Sequence, residues 1–92
     1  MEVNPTSDFV WQEFPNATLY EVAVTTNVGT ETFQTPDLFL PAITALDGKA
    51  EGSYTAKIRA KIGSYWTQFT DPPLAFDWVT TIPGTVEGFG VA

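Results

Sequence analysis

Three basic side chains, Lys57, Arg59 and Lys61, recur at every second position of one stretch of this chain. Alternate side chains of a β-strand lie on the same face, so these residues would form one row of positive charge, called the basic row below. The row could bind an anionic partner, or it could be the solvated face of a strand whose apolar face is buried. The regular alternation with apolar residues favours the solvated face.

Catalytic chemistry has few candidates in the sequence. The chain contains no histidine and no cysteine, which removes the commonest general base and the commonest zinc ligands. Its acidic residues would serve glycoside hydrolysis only if a cleft held two of them at a set separation, and no cleft is indicated. Asp47-Gly48 is typical of a turn rather than of a calcium loop. We therefore predict no enzyme activity, no metal and no cofactor.

Composition narrows the partners further. A net charge of −7 over 92 residues argues against nucleic acid and against anionic membrane surfaces. No stretch is long and apolar enough to insert in a membrane, and the first residues do not resemble a signal peptide. The simplest expectation is a single-domain product made in a cytoplasm, although a domain cut from a longer exported chain would look the same.

Turn signals divide the chain into short segments of strand character. Strands are predicted over residues 9–14, 19–26, 30–35, 38–43 and 54–62, and over 65–76 with a break at Asp71-Pro72-Pro73. Period-two alternation assigns Tyr20, Val22 and Ile58 to buried faces. Leu40 and Ile43 are expected in the core, and no segment shows helical spacing over three turns. This pattern predicts an all-β protein, a single antiparallel β-sandwich.

The order of several short motifs resembles a fibronectin type III domain of the bacterial and phage branch. The motifs are Phe9-x-Trp11, Ala17-Thr-Leu-Tyr20-Glu-Val-x-Val24, Leu40-Pro-Ala, Gly52-Ser-Tyr54 and Lys57-Ile-Arg59-Ala60. The similarity covers about residues 9–79 and implies an immunoglobulin-like sandwich with a short or missing first strand. It also implies that Trp11 lies in the core and that Tyr54 forms a tyrosine corner.

A further motif, Trp66-Thr-Gln-Phe-Thr70, resembles a degenerate Trp-Ser-x-Trp-Ser box. In domains with that box, aromatic rings stack with basic side chains of the neighbouring strand. The resemblance therefore implies that Trp66 and Phe69 stack on the basic row, with cation–π contacts worth about 0.5–2 kcal/mol.

The flanks depart from the family pattern. Residues 1–8 would be an N-terminal arm or a partial first strand, residues 9–79 the sandwich, and residues 80–92 a C-terminal tail. An incomplete first strand leaves a sheet edge open to pairing with another segment, either of the same chain or of a neighbouring molecule. The tail could be a flexible terminus or a docking arm. Its apolar residues are Ile82, Val86, Phe89 and Val91.

These observations predict a non-catalytic structural or interaction module in a larger protein assembly. The resemblance favours an accessory or decoration protein of a phage virion, made in the host cytoplasm and partnered by itself or by a capsid or tail protein. The alternative is a carbohydrate- or surface-binding module of an extracellular bacterial protein, with Tyr65, Trp66, Phe69 and Trp78 as candidate surface aromatics. A glycan is the less favoured ligand.

Overall fold

The computed structural model describes residues 1–92 as eight β-strands and one short helix. The elements are β1 (Glu2–Val3), β2 (Asp8–Val10), β3 (Leu19–Thr26), β4 (Gly29–Thr35), β5 (Phe39–Pro41), α1 (Ala42–Leu46), β6 (Gly52–Ile62), β7 (Tyr65–Trp66) and β8 (Leu74–Trp78). The predicted all-β class is confirmed.

The strands form two sheets. The larger has six strands in the order β1-β8-β6-β3-β4, with β7 also beside β6, and β2 pairs with β5 in a separate two-stranded sheet. Every pair is antiparallel except β1 with β8, which is parallel through Glu2↔Asp77 and Val3↔Trp78. The purely antiparallel prediction is thus wrong at this edge. Parallel strands need a long connection, and almost the whole chain lies between β1 and β8.

One core lies between the two sheets. Strands β3 and β6 are paired from Leu19↔Lys61 to Thr25↔Thr55 and form the middle of the larger sheet. Their inward residues belong to the same buried cluster as Phe9 of β2 and Leu40 of β5. The ring of Phe9 meets that of Phe76 edge-on, with centroids 5.4 Å apart. The small sheet therefore covers one face of the large one.

The strand predicted over residues 9–14 is shorter in the structure. Strand β2 ends at Val10, and only the amide of Trp11 continues toward β5, donating to the carbonyl of Leu38 at 3.2 Å. The chain then turns, with Asn16 at a φ of 65°. The strand thus ends at Val10, before the Pro15-Asn16 turn that was expected to end it, because the chain already leaves strand geometry on its way into the turn.

The strand predicted over residues 38–43 is also wrong in its second half. Strand β5 ends at Pro41 and helix α1 follows, which leaves Ile43 37% exposed instead of buried. Proline lacks an amide hydrogen, so it ends the ladder and suits a helix start. Helical geometry then turns Ala42, Ala45 and Leu46 into the core in place of Ile43.

Candidate interaction surfaces

The structure brings the basic row together with both aromatic candidates. The guanidinium carbon of Arg59 lies 4.5 Å from the Trp66 ring centroid and 4.7 Å from that of Phe69. The amino nitrogen of Lys61 is 5.7 Å from the Trp66 ring, and that of Lys57 is 4.8 Å from the Phe69 ring. Cations and rings therefore alternate along the outer face. We call these five residues the stacked row.

Two threonines position the aromatic rings of the stacked row. Strand β7 is only two residues long, yet the chain continues along β6 after it. The hydroxyl of Thr67 accepts a hydrogen bond from the amide of Ala60 at 2.9 Å, and that of Thr70 accepts one from the amide of Ile58 at 3.2 Å. Their own amides donate back to the carbonyls of the same two residues. These reciprocal bonds hold the segment carrying Phe69 against β6.

Arg59 is also bound from the side of β3. Its Nε donates to Oε1 of Glu21 at 3.0 Å, and its Nη2 lies 2.8 Å from the same oxygen. Gln34 on β4 donates to Oε2 of Glu21 at 3.0 Å. The hydrogen bond from Gln34 lowers the pKa of Glu21, burial opposes that shift, and Arg59 lowers the pKa further. Glu21 and Gln34 were not among the residues predicted from the sequence. The one signal for them was that Arg59 would need a polar partner on a neighbouring strand.

The contacts leave few free cations for an anionic ligand. Arg59 is paired with Glu21, and Lys49 lies 2.9 Å from a carboxylate oxygen of Glu31. Lys57 and Lys61 remain, each over an aromatic ring. The arrangement can therefore stabilise the sheet by cation–π contacts, whereas a concentrated anion site would need unpaired cations.

The core candidates lie in or beside the shared core. Tyr20, Val22, Leu40 and Tyr54 are buried, whereas Trp11 and Ile58 are partly buried and pack against the core cluster. The hydroxyl of Tyr54 donates to the carbonyl of Ala50, four residues upstream. The hydroxyl of Tyr20 accepts a bond from the amide of Phe14 at 3.0 Å. Both tyrosines therefore brace loops as well as filling the core.

The candidate surface aromatics are split by the structure. Tyr65 is 81% exposed, but Trp78 is only 2% exposed and donates its indole N–H to the carbonyl of Lys49 at 3.2 Å. Its expected surface position is therefore wrong. Trp78 is the last residue of β8, where an inward position lies over the loop before β6. Trp78 and Tyr65 do not form a common platform.

The tail forms no regular structure, and none of its residues is buried. Ile82, Val86, Phe89 and Val91 are 55, 86, 96 and 102% exposed. Its one anchor lies at the base, where the amide and hydroxyl of Thr80 donate to Glu51 at 2.8 and 3.0 Å. These two bonds lower the pKa of Glu51. The four apolar residues are thus not brought to any site of their own chain.

No group of three or more histidine, cysteine, aspartate or glutamate side chains is placed to hold a metal ion. No helix has the length and apolar character needed to cross a bilayer.

Comparison with known proteins adds no relative. No family model, no curated protein and no solved structure matches this chain.

Proposed function

We propose that this chain is a fibronectin type III-like sandwich that acts as a non-catalytic structural module in a larger protein assembly. The observation that carries the proposal is the tail, residues 80–92. Its four apolar side chains are more than half exposed and cover none of the protein's own core. Burying such side chains against a partner is favourable, by about 25 cal/mol per Å² of apolar surface. The tail is therefore suited to be the docking arm.

Three features support the sandwich part of the proposal. Strands β4, β3, β6 and β8 form one layer that faces the pair β2 and β5. The bond from the Tyr54 hydroxyl to an upstream carbonyl near the start of β6 has the form of a tyrosine corner. The stacked row has the cation-and-ring order that the motif resemblance implies.

The setting that we favour is a phage virion, with the protein as an accessory or decoration subunit of the capsid or tail. Its support is the resemblance to the bacterial and phage branch of the family. The acidic surface is compatible with a protein partner rather than nucleic acid. On this proposal the chain is made in the host cytoplasm and then joins the particle.

The carbohydrate-binding alternative has less support. A sugar platform needs adjacent exposed rings, and Trp78 is buried. Tyr65 alone offers one exposed face at the β6–β7 hairpin. Glycan-array binding that is lost in Tyr65→Ala would favour the alternative over the assembly proposal.

The test of the assembly proposal follows the protein into particles. Epitope-tagged chain would be produced in cells carrying the genome that encodes it, and particles would be separated on a density gradient. We expect the full chain to sediment with particles. A variant with Ile82, Val86, Phe89 and Val91 all changed to serine should remain with free protein, because it keeps the chain length but loses the apolar surface.

The matched control is Val28→Ser, since Val28 is an exposed valine in the β3–β4 turn and far from the tail in sequence. It should sediment with particles as the unchanged chain does. If the unchanged chain is found only with free protein and never in the particle fractions, the proposed function is contradicted. Equal incorporation of the four-serine variant would remove the tail as the docking arm.

A further inference from the structure

An apolar groove of about 730 Å³ opens between β2 and the start of β8. One wall is formed by β2 and the residue after it, and the other by the proline segment and the first residue of β8. The floor belongs to the larger sheet. Its lining includes Val10 and Trp11 on the first wall, Pro72 and Leu74 on the second, and Ala56 and Ile58 on the floor.

Both walls of the groove present unpaired strand edges. Strand β2 pairs only with β5, and the bonds Trp11 to Leu38 and Ala42 to Ser7 fix which backbone groups face β5. Because alternate residues of a strand direct these groups to opposite sides, those of Asp8 and Val10 point to the open edge. On the other wall, β1 covers β8 only at Asp77 and Trp78.

Besides the two open strand edges, the groove is lined by Trp11, which has an unpaired hydrogen-bond donor. Its indole Nε1 is buried and has no hydrogen-bond partner. A buried donor without an acceptor destabilises the fold, and most such donors in native proteins are satisfied. Trp11 lines the groove, and a segment added along β2 supplies the missing acceptor only if the indole ring rotates, because Nε1 is closed off from solvent.

We infer that the groove is filled by the tail of a second copy of this chain, added as a strand beside β2. This inference rests on the proposed function, because it identifies the partner of the docking arm. Strand addition supplies main-chain hydrogen bonds, while alternate side chains of the added strand enter the apolar groove. In an extended strand Ile82 and Val86 would share one face with Gly84 between them, and the tail has no basic residue.

The tail does not enter the groove of its own chain, since no residue of 80–92 lines it. The groove lies against the first residues of β8, whereas the tail leaves after the last residue of that strand. The molecule measures 62 × 26 × 20 Å, and its radius of gyration of 16.1 Å exceeds the roughly 12 Å of a compact chain of this length. Residues 80–92, fully extended, reach about 43 Å from the base of the tail. That reach is enough to span the groove of an adjacent copy.

The experiment measures self-association of four full-length chains by analytical ultracentrifugation. The first is the unchanged chain, and the second is the four-serine tail variant. The third is Val10→Pro, which removes the amide hydrogen at the open edge and leaves the bonds to β5 intact, as edge prolines do. The fourth is Val28→Ser, the control, which changes an exposed valine in the β3–β4 turn that does not line the groove. Far-UV circular dichroism checks that each is folded, and Leu74→Glu on the opposite wall replaces Val10→Pro if that variant is not.

We expect the unchanged chain to associate between about 10 µM and 1 mM, as small interfaces do. Val28→Ser should associate within about threefold of it. The tail variant and Val10→Pro should each associate at least about tenfold more weakly, because each loses one half of the contact. Mixed together, these two variants should form a complex of one copy of each, since one keeps the groove and the other keeps the tail.

Several outcomes would overturn the inference. They are a monomeric unchanged chain at every concentration, unchanged association of either variant, and a mixture that stays monomeric. If the unchanged chain is monomeric and its tail resists protease, while the tail of Val10→Pro is cleaved, then the tail fills its own groove. If self-association fails while the tail still directs the chain into particles, the proposed function stands and the tail's partner is a different protein.

Discussion

At the scale of single residues, Arg59 is the side chain with the most interactions on the outer face. Two rings flank it, and the carboxylate of Glu21 binds it from the neighbouring strand. Glu21 is in turn held by Gln34. Removing one partner of this ion pair is costly, because the other charged group would remain desolvated without a partner.

Changing Glu21 to glutamine tests this pairing. We expect Glu21→Gln to lower the free energy of unfolding at pH 7 by about 2 kcal/mol, since a charged hydrogen bond near the interior is lost. Urea denaturation measures the change. The control is Glu31→Gln, which removes the exposed partner of Lys49 and should cost less than about 0.5 kcal/mol. Equal effects of the two changes would contradict the buried role of Glu21.

The pH dependence of the same pair follows from the lowered pKa of Glu21. A carboxyl whose folded pKa lies below its unfolded value contributes stability above the unfolded pKa, and this contribution is lost as pH falls through the folded pKa. The stability difference between the unchanged chain and Glu21→Gln should therefore be constant above the ordinary value of 4.5 and shrink below it. Urea titrations between neutral and acidic pH measure it. A difference that persists undiminished in acid would argue against ionised Glu21 as its source.

Tyr65 and Trp78, two of the four candidate surface aromatics, should respond very differently to truncation. Trp78→Ala should cost about 3–5 kcal/mol, because it leaves a cavity in the core and an unpaired carbonyl at Lys49. Tyr65→Ala should change stability by no more than about 0.5 kcal/mol, since the ring is exposed. Thermal or chemical denaturation compares them. Similar losses in both variants would contradict the assigned positions.

The basic row was predictable from the sequence, whereas the partner of Arg59 was not. Alternation along one strand is visible in the residues themselves. The pairing of Glu21 with Arg59 depends on the register between β3 and β6, and a shift of one residue would place Glu21 elsewhere. The burial of Trp78 likewise depends on where the loop before β6 passes.

At the scale of elements, the least regular part of the large sheet is the chain between β7 and β8. Strand β7 covers only the end of β6, and the ladder is then continued by the side chains of Thr67 and Thr70. Hydroxyl groups thus replace backbone groups where the chain departs from strand geometry. This substitution keeps the inner amides of β6 satisfied.

Removing one hydroxyl should loosen this segment. Thr67→Val keeps the branched shape but leaves the amide of Ala60 without its acceptor, so we expect a loss of about 1–2 kcal/mol. The amide of Ala60 should also exchange with solvent faster in NMR hydrogen-exchange measurements. Thr32→Val, on the exposed edge strand β4, is the matched control and should change stability by less than about 0.5 kcal/mol. An unchanged exchange rate at Ala60 would contradict the role of the Thr67 hydroxyl as the acceptor of its amide.

The prediction of elements succeeded where alternation was long and failed where it was short. Strands β3 and β6 closely match the predicted residues 19–26 and 54–62, because eight or more alternating positions identify a half-buried strand. The segment over residues 38–43 is a short run of apolar residues without alternation, and such a run fits a strand or a helix. Tertiary packing of Ala45 and Leu46 decided in favour of α1.

At the scale of the whole molecule, the protein consists of a folded body and a projecting tail. All strands, the helix and every buried residue lie before residue 80. Small-angle X-ray scattering should therefore give a radius of gyration near 12 Å for a chain ending at Val79. The full-length chain and the chain ending at Val79 should unfold at nearly the same temperature. A large loss of thermal stability on truncation would mean that the tail belongs to the body.

The separation of the tail from the groove has a consequence for growth. A contact between different surfaces of identical copies is not self-complementary, so a pair joined in this way still carries one free tail and one free groove. Each addition repeats the same step with the same affinity, and mean chain length would rise smoothly with concentration rather than appear at a threshold. Such growth stops when the ends meet in a ring or when a different protein occupies the last site. The geometry of the docking step would then set the size of the assembly.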